Sequence, residues 1–464
     1  MKYDVVIAGG GTAGCAFAYT AGKLGLRTLL VEKNSFLGGT MTSALVTPAM
    51  KTSDNNINTD FFNDLMNNLH EIGGQITYAD GNKGWFNPEL LKITLDKMMI
   101  SANVEVLFNT KISDIITESC TSTNDKGKLD TNSAQTNKYL TKIKKIKLSN
   151  YNDTICDDNI SHKQNKLLEY IETRYLVDGT GNAKIFEKLN CEFLNKIEKE
   201  KNSDKNIFQP MNLRFIMSGI NLKEFSKWIT ELDTDRNVTT SYIIEGQTHL
   251  STAYTWDSNK DWALRPVFKA GIEEGLITEE DSNYFQVFTI PQMHSSLAFN
   301  CPRLISDTDI NPEDTIQTSK LLMSARASIQ RLSVFLRKYF KGFEHAYISS
   351  IANELGIRVS NRIKGKYVYT IDDLKSGKKF KNPCLVSNYP VDIHSKEKNK
   401  STLEHQMQEY SLPIESLQSC NYENLFAIGR CISADFEAQG ALRIIPSCFS
   451  MGEGLAKYLA QQGD

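Results

Sequence analysis

The stretch Asp4-Val-Val-Ile-Ala-Gly-Gly-Gly-Thr-Ala-Gly14 constrains this chain more than any other. Val5, Val6 and Ile7 form an apolar run suited to a buried parallel strand. Gly9, Gly11 and Gly14 then supply G-x-G-x-x-G at the turn into a helix expected from about Gly11 to Gly25. In such a turn the first glycine permits the tight bend and the second lets a pyrophosphate approach the backbone. The third lets helix and strand pack closely. The start of the helix, at Thr12 and Ala13, offers N–H groups and a positive dipole end to phosphates. Thr28 to Val31 reads as the second strand, and Glu32 stands at its carboxyl end, eighteen residues after Gly14. A carboxylate there accepts hydrogen bonds from a ribose 2′-OH and repels a 2′-phosphate. The segment is therefore read as a site for FAD or NAD rather than NADP.

A chain of 464 residues is too long for one small core and suits two connected domains. Its formal charge of −2 gives no global attraction to nucleic acid or to a membrane surface. No apolar stretch approaches membrane-spanning length. The first strand begins almost at Met1, which leaves no room for a signal peptide, so a cytoplasmic protein is expected. The nine cysteines are scattered, with no C-x-x-C pair and no zinc spacing, and are read as reduced thiols.

Gly38, Gly39 and Thr40 lie in a small-residue stretch that would let backbone rest against a flat ring. Helices are expected over 60–69 and from Pro88. Residues 118–138 read as a polar insertion, 140–148 as an exposed strand and 150–165 as loop. Interleaved acidic residues and the lack of an aromatic platform favour a solvated hairpin over a nucleic-acid patch. Tyr175 to Asp178 reads as a strand that turns at Gly181 beside the nucleotide. Short β-like runs over 206–300 suggest an antiparallel sheet, followed by a long helix from Pro312 to Tyr339. Asn424 to Cys431 is a strand with a turn at Gly429-Arg430, and a last helix is expected from Pro446 to Gln461. A nucleotide unit that opens and closes the chain implies that the second domain is inserted within it.

Several later segments carry a resemblance. Glu354-Leu-Gly-Ile-Arg358-Val-Ser-Asn-Arg362-Ile-Lys-Gly365-Lys-Tyr367 resembles E-x-G-x-R-E-x-R-R-I-x-G-x-Y, and Tyr389-Pro-Val-Asp392-Ile-His394 resembles Y-P-x-D-x-H. Gly429 to Ser433 and Gln439 to Pro446 resemble flavin-facing blocks. In this order they resemble FAD-dependent oxidoreductases related to glutathione reductase and fumarate reductase flavoproteins. The resemblance implies an α/β fold, with a Rossmann-like FAD-binding domain of glutathione reductase type over 1–205 and 410–464. An α+β substrate domain would be inserted at 206–409. Val359 and Asn361 depart from the motif, which weakens an anion clamp built there.

By position, the resemblance places Gly9, Gly11, Thr12, Ala13 and Gly14 on the pyrophosphate, and Glu32 on the adenosine ribose with Lys33 beside it. Gly38, Gly39 and Thr40 would follow the ribityl chain or isoalloxazine, with Asp178, Gly181, Gly429 and Arg430 nearby. The helix from Pro446 would aim its positive end at the flavin, and Arg443 would add charge there. Arg358, Arg362 and His394 are the candidates for substrate chemistry. The two arginines, four apart, would share one face of a helix, either on substrate or bracing two domains. His394 would be a general acid or base, or a structural histidine, and Cys431 a packed thiol beside the cofactor. The leading expectation is hydride exchange between flavin N5 and a small anionic metabolite. No second G-x-G-x-x-G marks an NAD(P)H domain, so the electron partner is open, as is the oligomeric state. A flavin enzyme modifying a nucleic acid or other macromolecule, and a binding or escort protein of the same fold without redox turnover, are the alternatives.

Overall fold

The computed structural model describes residues 1–53, 55–119, 141–150, 170–196, 208–234, 239–253, 262–304, 310–394, 401–403 and 407–463. Strand β1 (Lys2–Ala8) lies at the middle of a seven-stranded sheet, between β2 (Thr28–Val31) and the strand Ile171–Asp178. Glu105–Leu107 pairs outside β2, and Leu425–Ala427 pairs with Ile171–Asp178. All five of these strands are parallel. Both sheet faces are covered, so Val5, Val6 and Ile7 are all fully buried and the run does not alternate. Ala8 is in register with both Val31 and Asp178, and Ala427 is in register with Asp178. The residues that follow each strand, Gly9, Glu32 and Gly179, therefore meet at one carboxyl edge, where open α/β sheets bind ligands.

Helix α1 (Thr12–Lys23) follows the glycine turn and packs against the C-terminal helix Ile445–Ala460. The contact is close because Gly452 lies on α1: a Cβ there would stand 2.2 Å from the Ala13 carbonyl oxygen. The polar segment at 118–165 is mostly outside the described residues. Its flanks, Thr110–Ser119 and Thr141–Asn150, form an antiparallel hairpin on the same sheet. Ile143, Ile146 and Leu148 are buried in it, so the strand expected to be exposed hides one face.

A second sheet has six antiparallel strands, in the order Thr239–Ile244, Gln247–Ala253, Gln286–Thr289, Leu297–Phe299, Phe215–Ser218 and Tyr347–Ile351. The helix Thr315–Tyr339 shares its apolar core through Ala325, Ile329, Leu332 and Phe335. That helix starts three residues later than expected, because the Asp314 side chain accepts from the Ile316 and Gln317 N–H groups and caps it. Among the described residues no helix is long and apolar enough to cross a membrane.

Two expectations are corrected. Residues 354–367 are not a helix but an extended run with isolated bridges, so Arg358 and Arg362 do not share a helical face. The expected boundary at 409/410 cuts through one apolar core. Tyr369, Leu374, Cys384 and Leu385 pack with α1 and the C-terminal helix, and Pro383–Ser387 pairs with Tyr410–Pro413.

Candidate functional site

The glycine turn separates what the protein needs from what it leaves open. Gly9 has φ +102°, and a Cβ there would lie 2.7 Å from the Gly179 oxygen. A Cβ on Gly14 would lie 2.0 Å from the Gly9 oxygen. Both glycines are required by the backbone itself. Gly11 is different: φ −78° and ψ −167° suit any residue, and nothing comes nearer than 3.8 Å to its Cβ position. Its open side is where a pyrophosphate could meet the first N–H groups of α1, at Thr12 and Ala13. Gly39 closes the other side, with a Cβ position 2.7 Å from the Gly11 Cα. The Gly38 N–H donates to the Gly10 carbonyl at 2.8 Å, and the Thr12 and Thr40 hydroxyls lie 3.4 Å apart.

Glu32 is buried and accepts from the Gly10 N–H at 2.7 Å and the Asn34 N–H at 2.8 Å. Burial raises its carboxyl above the usual range, and the two N–H groups only partly offset this. Two of its roughly four acceptor positions are thus taken, which leaves capacity for a ribose. Lys33 points outward and pairs with Glu354, tying the turn to the 354–367 segment.

Asp178 does other work from the one expected. It is fully buried, and its oxygens accept from the Thr180 N–H and hydroxyl and from the Ile185 N–H at 2.8 Å. It holds the strand end against the helix Lys184–Lys188 rather than offering itself to a ligand. Arg430 follows Gly429, whose Cβ position lies 3.5 Å from the Ala13 Cβ. The Arg430 guanidinium lies over Gly181 and donates to Asn182, while its Nε is buried without a partner among the described residues. Burial lowers its pKa.

The C-terminal helix has Pro446 in its first turn and no side-chain cap, and the buried Ser447 hydroxyl has no partner among the described residues. An uncapped, buried helix start is a positive end in search of an acceptor. With the open side of Gly11 and the spare acceptor capacity of Glu32, it fits FAD.

A second cluster lies around Tyr284. Arg214, Arg303, Arg358 and Asp392 all act on its hydroxyl electrostatically, and burial raises its pKa. Arg358 donates to the Pro210 carbonyl at 2.6 Å, and Arg214 to the Thr47 carbonyl at 3.1 Å. Arg443 donates to the Asp392 carboxylate at 3.0 Å and to its carbonyl at 2.9 Å. Asp392 also lies 3.3 Å from His394 Nε2, and the His394 and Tyr284 rings meet edge on at 5.9 Å. Burial lowers Arg358 to about 9, helped by Arg443, and lowers Arg214 and Arg303 to about 10. All remain charged at neutral pH. Burial pushes Asp392 up, but Arg443 and His394 together hold it well below the usual carboxylate range. Burial and Arg358 bring His394 down to about 4.

The structure therefore joins Arg358, His394 and Arg443 but not Arg362. The Arg362 side chain is fully buried and donates to the Ala434 carbonyl at 2.8 Å, while its own carbonyl accepts from the Leu194 N–H. Both contacts tie this segment to the rest of the protein. Cys431 is buried, its thiol pushed up by burial and bonded to the Ile428 carbonyl, as a packed thiol would be. Gln439, fully buried, donates to the carbonyls of Arg358 and Arg430 and so links the two clusters. Sequence reasoning missed Arg214, Arg303, Tyr284 and Asp392 as site residues. A signal existed for two of them: Arg214 interrupts an apolar run, and Asp392 sits two residues before His394 on a strand, on the same face.

No curated protein matches the sequence. Among solved structures, the flavin-dependent brominase Bmp2 is 12% identical, over 100% of this chain and 79% of that one, at a TM-score of 0.42. A geranylgeranyl bacteriochlorophyll reductase-like protein from Thermoplasma acidophilum is 11% identical, over 99% and 78%, at 0.39. The p-nitrophenol 4-monooxygenase PnpA from Pseudomonas putida DLL-E4 is 9% identical, over 99% and 78%, at 0.41. Likenesses this low say nothing of substrate. Residues 4–462 match the model of the FAD dependent oxidoreductase family, and the chain belongs to that family.

Proposed function

We propose that this FAD-dependent oxidoreductase acts on a small anionic metabolite held in the Tyr284 cluster. One observation carries the reading. Arg214 and Arg358 are half-buried, and among the described residues neither pairs with a carboxylate; each donates only to backbone carbonyls. Asp392 offsets the Arg358 charge only in part, from a distance; such charge away from bulk water is costly, and an anionic ligand would lower that cost. Guanidinium groups bind carboxylates and phosphates bidentately and so orient them. FAD would supply two-electron chemistry when bound.

The chain's own residues would do the rest. Arg358 and Arg214 bind the anion, and Arg214 also ties the cluster to the 45–47 segment that follows Gly38–Thr40. Asp392 and Arg443 hold each other in place, and His394 handles a proton. Gly11, Glu32 and the start of the C-terminal helix would hold the cofactor. The test is anaerobic reduction of the purified holoprotein, followed by a screen of anionic metabolites for reoxidation of the flavin, and the reverse screen for reduction. In Arg358→Ala the active metabolite should turn over about 10- to 100-fold more slowly, as loss of a charged hydrogen bond predicts, with FAD content unchanged. Equal loss of turnover and FAD would mean that Arg358 braces the fold instead.

A further inference from the structure

We propose that Asp392 is a positioning residue that fixes His394 as its Nε2–H tautomer and so leaves Nδ1 as a bare proton acceptor. The geometry makes the argument. Asp392 and His394 are alternate residues of the short strand Asp392–His394, so their side chains share a face. Asp392 Oδ1 lies 3.3 Å from His394 Nε2. Its other oxygen takes the Arg443 guanidinium at 3.0 Å, and the same guanidinium holds the Asp392 carbonyl at 2.9 Å. Clamped in this way, the carboxylate is ionised and can only accept. The proton between the two side chains therefore sits on Nε2.

His394 is neutral at working pH, since burial and the facing guanidiniums of Arg358 and Arg443 oppose a second proton. Tyr284 and Tyr389 are the other titratable groups turned to the cluster, and burial raises both, so they stay protonated. One ring proton on Nε2 leaves Nδ1 with a lone pair. Nδ1 is buried and has no partner among the described residues. Buried acceptors are nearly always satisfied, so a donor belongs there.

The inference deepens the proposed function and rests on it only for the chemistry. A bare Nδ1 takes a proton and has none to give. It suits a substrate with an O–H or N–H group beside its anionic group, such as a hydroxy acid or an amino acid. The X–H bond breaks, the Nδ1–H bond forms, and the electron pair stays on X. Asp392 then faces an imidazolium and stabilises it, as the buried aspartate does in a serine protease triad.

The experiment is two-bond ¹H–¹⁵N NMR on holoprotein labelled with ¹⁵N-histidine. His394 is identified among the seven histidines by the signal lost in His394→Gln. The wild type should show Nε2 protonated and Nδ1 bare from about pH 8 to about pH 5, although an ordinary histidine titrates there. In Asp392→Asn, Arg443 still needs an acceptor and takes the amide oxygen. The amide NH2 then faces Nε2, and the ring should switch to the Nδ1–H tautomer. A wild-type ring protonated at Nδ1, or an imidazolium at neutral pH, would overturn the proposal. So would an unchanged tautomer in folded Asp392→Asn. If that variant does not fold, the wild-type spectrum decides alone. The expected tautomer together with full turnover in His394→Gln would leave the positioning intact and refute the role of His394 in the reaction.

Discussion

Alanine at Gly11 and at Gly14 should separate cofactor binding from folding. At Gly14 the new methyl would lie 2.0 Å from the Gly9 carbonyl oxygen, far inside contact distance. Relief requires α1 to move off the strand end, and overpacking of this kind costs about 3 kcal/mol. A chain of 464 residues has roughly 1 kcal/mol/K of unfolding entropy, so Tm should fall by about 3 °C. At Gly11 the methyl meets nothing nearer than 3.8 Å, and the backbone is already extended. Alanine is compatible there and should leave the apoprotein unchanged or stabilise it by about 0.4–1 kcal/mol. It would, however, stand where the pyrophosphate approaches. Loss of one charged hydrogen bond, about 1.5–3 kcal/mol, weakens FAD binding roughly 10- to 150-fold. The assays are thermal melts of both apoproteins and FAD titration followed by quenching of flavin fluorescence. Wild-type FAD affinity in Gly11→Ala would refute the placement of the pyrophosphate. A wild-type melt in Gly14→Ala would refute the packing argument.

Arg362→Met should lower stability by about 1–3 kcal/mol, because the Ala434 carbonyl loses its buried donor, while turnover per folded molecule is retained; a selective loss of turnover would return Arg362 to the substrate site. Asp281 is buried, and although burial pushes its carboxyl up, Arg331, Ser328 and the Thr278 N–H pull it below its usual value. Arg331→Met should therefore cost about 2–3 kcal/mol in urea melts, less than a fully buried pair because Arg331 is 39% exposed, and adding Asp281→Asn should recover most of it. The His394 pKa is depressed in the folded state, from 6.5 to about 4. Its contribution to stability is complete above about pH 6.5 and lost as pH falls toward 4, by about 3 kcal/mol at most. His394→Gln should flatten that part of the profile, and an unchanged profile would count against a neutral buried ring.

The nucleotide edge was legible because its information is local. The Gly9–Gly11–Gly14 spacing, the apolar run before it and Glu32 at the end of the next strand lie within one βαβ span, and register alone brings them together. The C-terminal helix was legible for the same reason, with Pro446 in its first turn. Errors came where the outcome depended on distant partners. Arg358 and Arg362 were placed on one helical face by their spacing. In the fold the segment is extended, held by Ser43, Asn212 and Cys431, which are far away in sequence. Asp178 looked like a ligand contact because it ends a strand; one of its oxygens is taken by Thr180 and the other by N–H groups of the next helix. The boundary at 409/410 failed because apolar residues from 369 to 391 fill a core begun at residue 5.

The sequence by itself determined the cofactor class and the sheet edge at which strand, turn and acidic residue meet, since these act through neighbours in the chain. Only the tertiary structure decided which charges meet around Tyr284. Arg214, Arg303, Arg358, Arg443 and the Asp392–His394 strand come from separate segments, and a side chain's partner is set by packing across the chain. That packing also decides that, among the described residues, Arg214 and Arg358 meet only backbone carbonyls and His394 Nδ1 meets no partner.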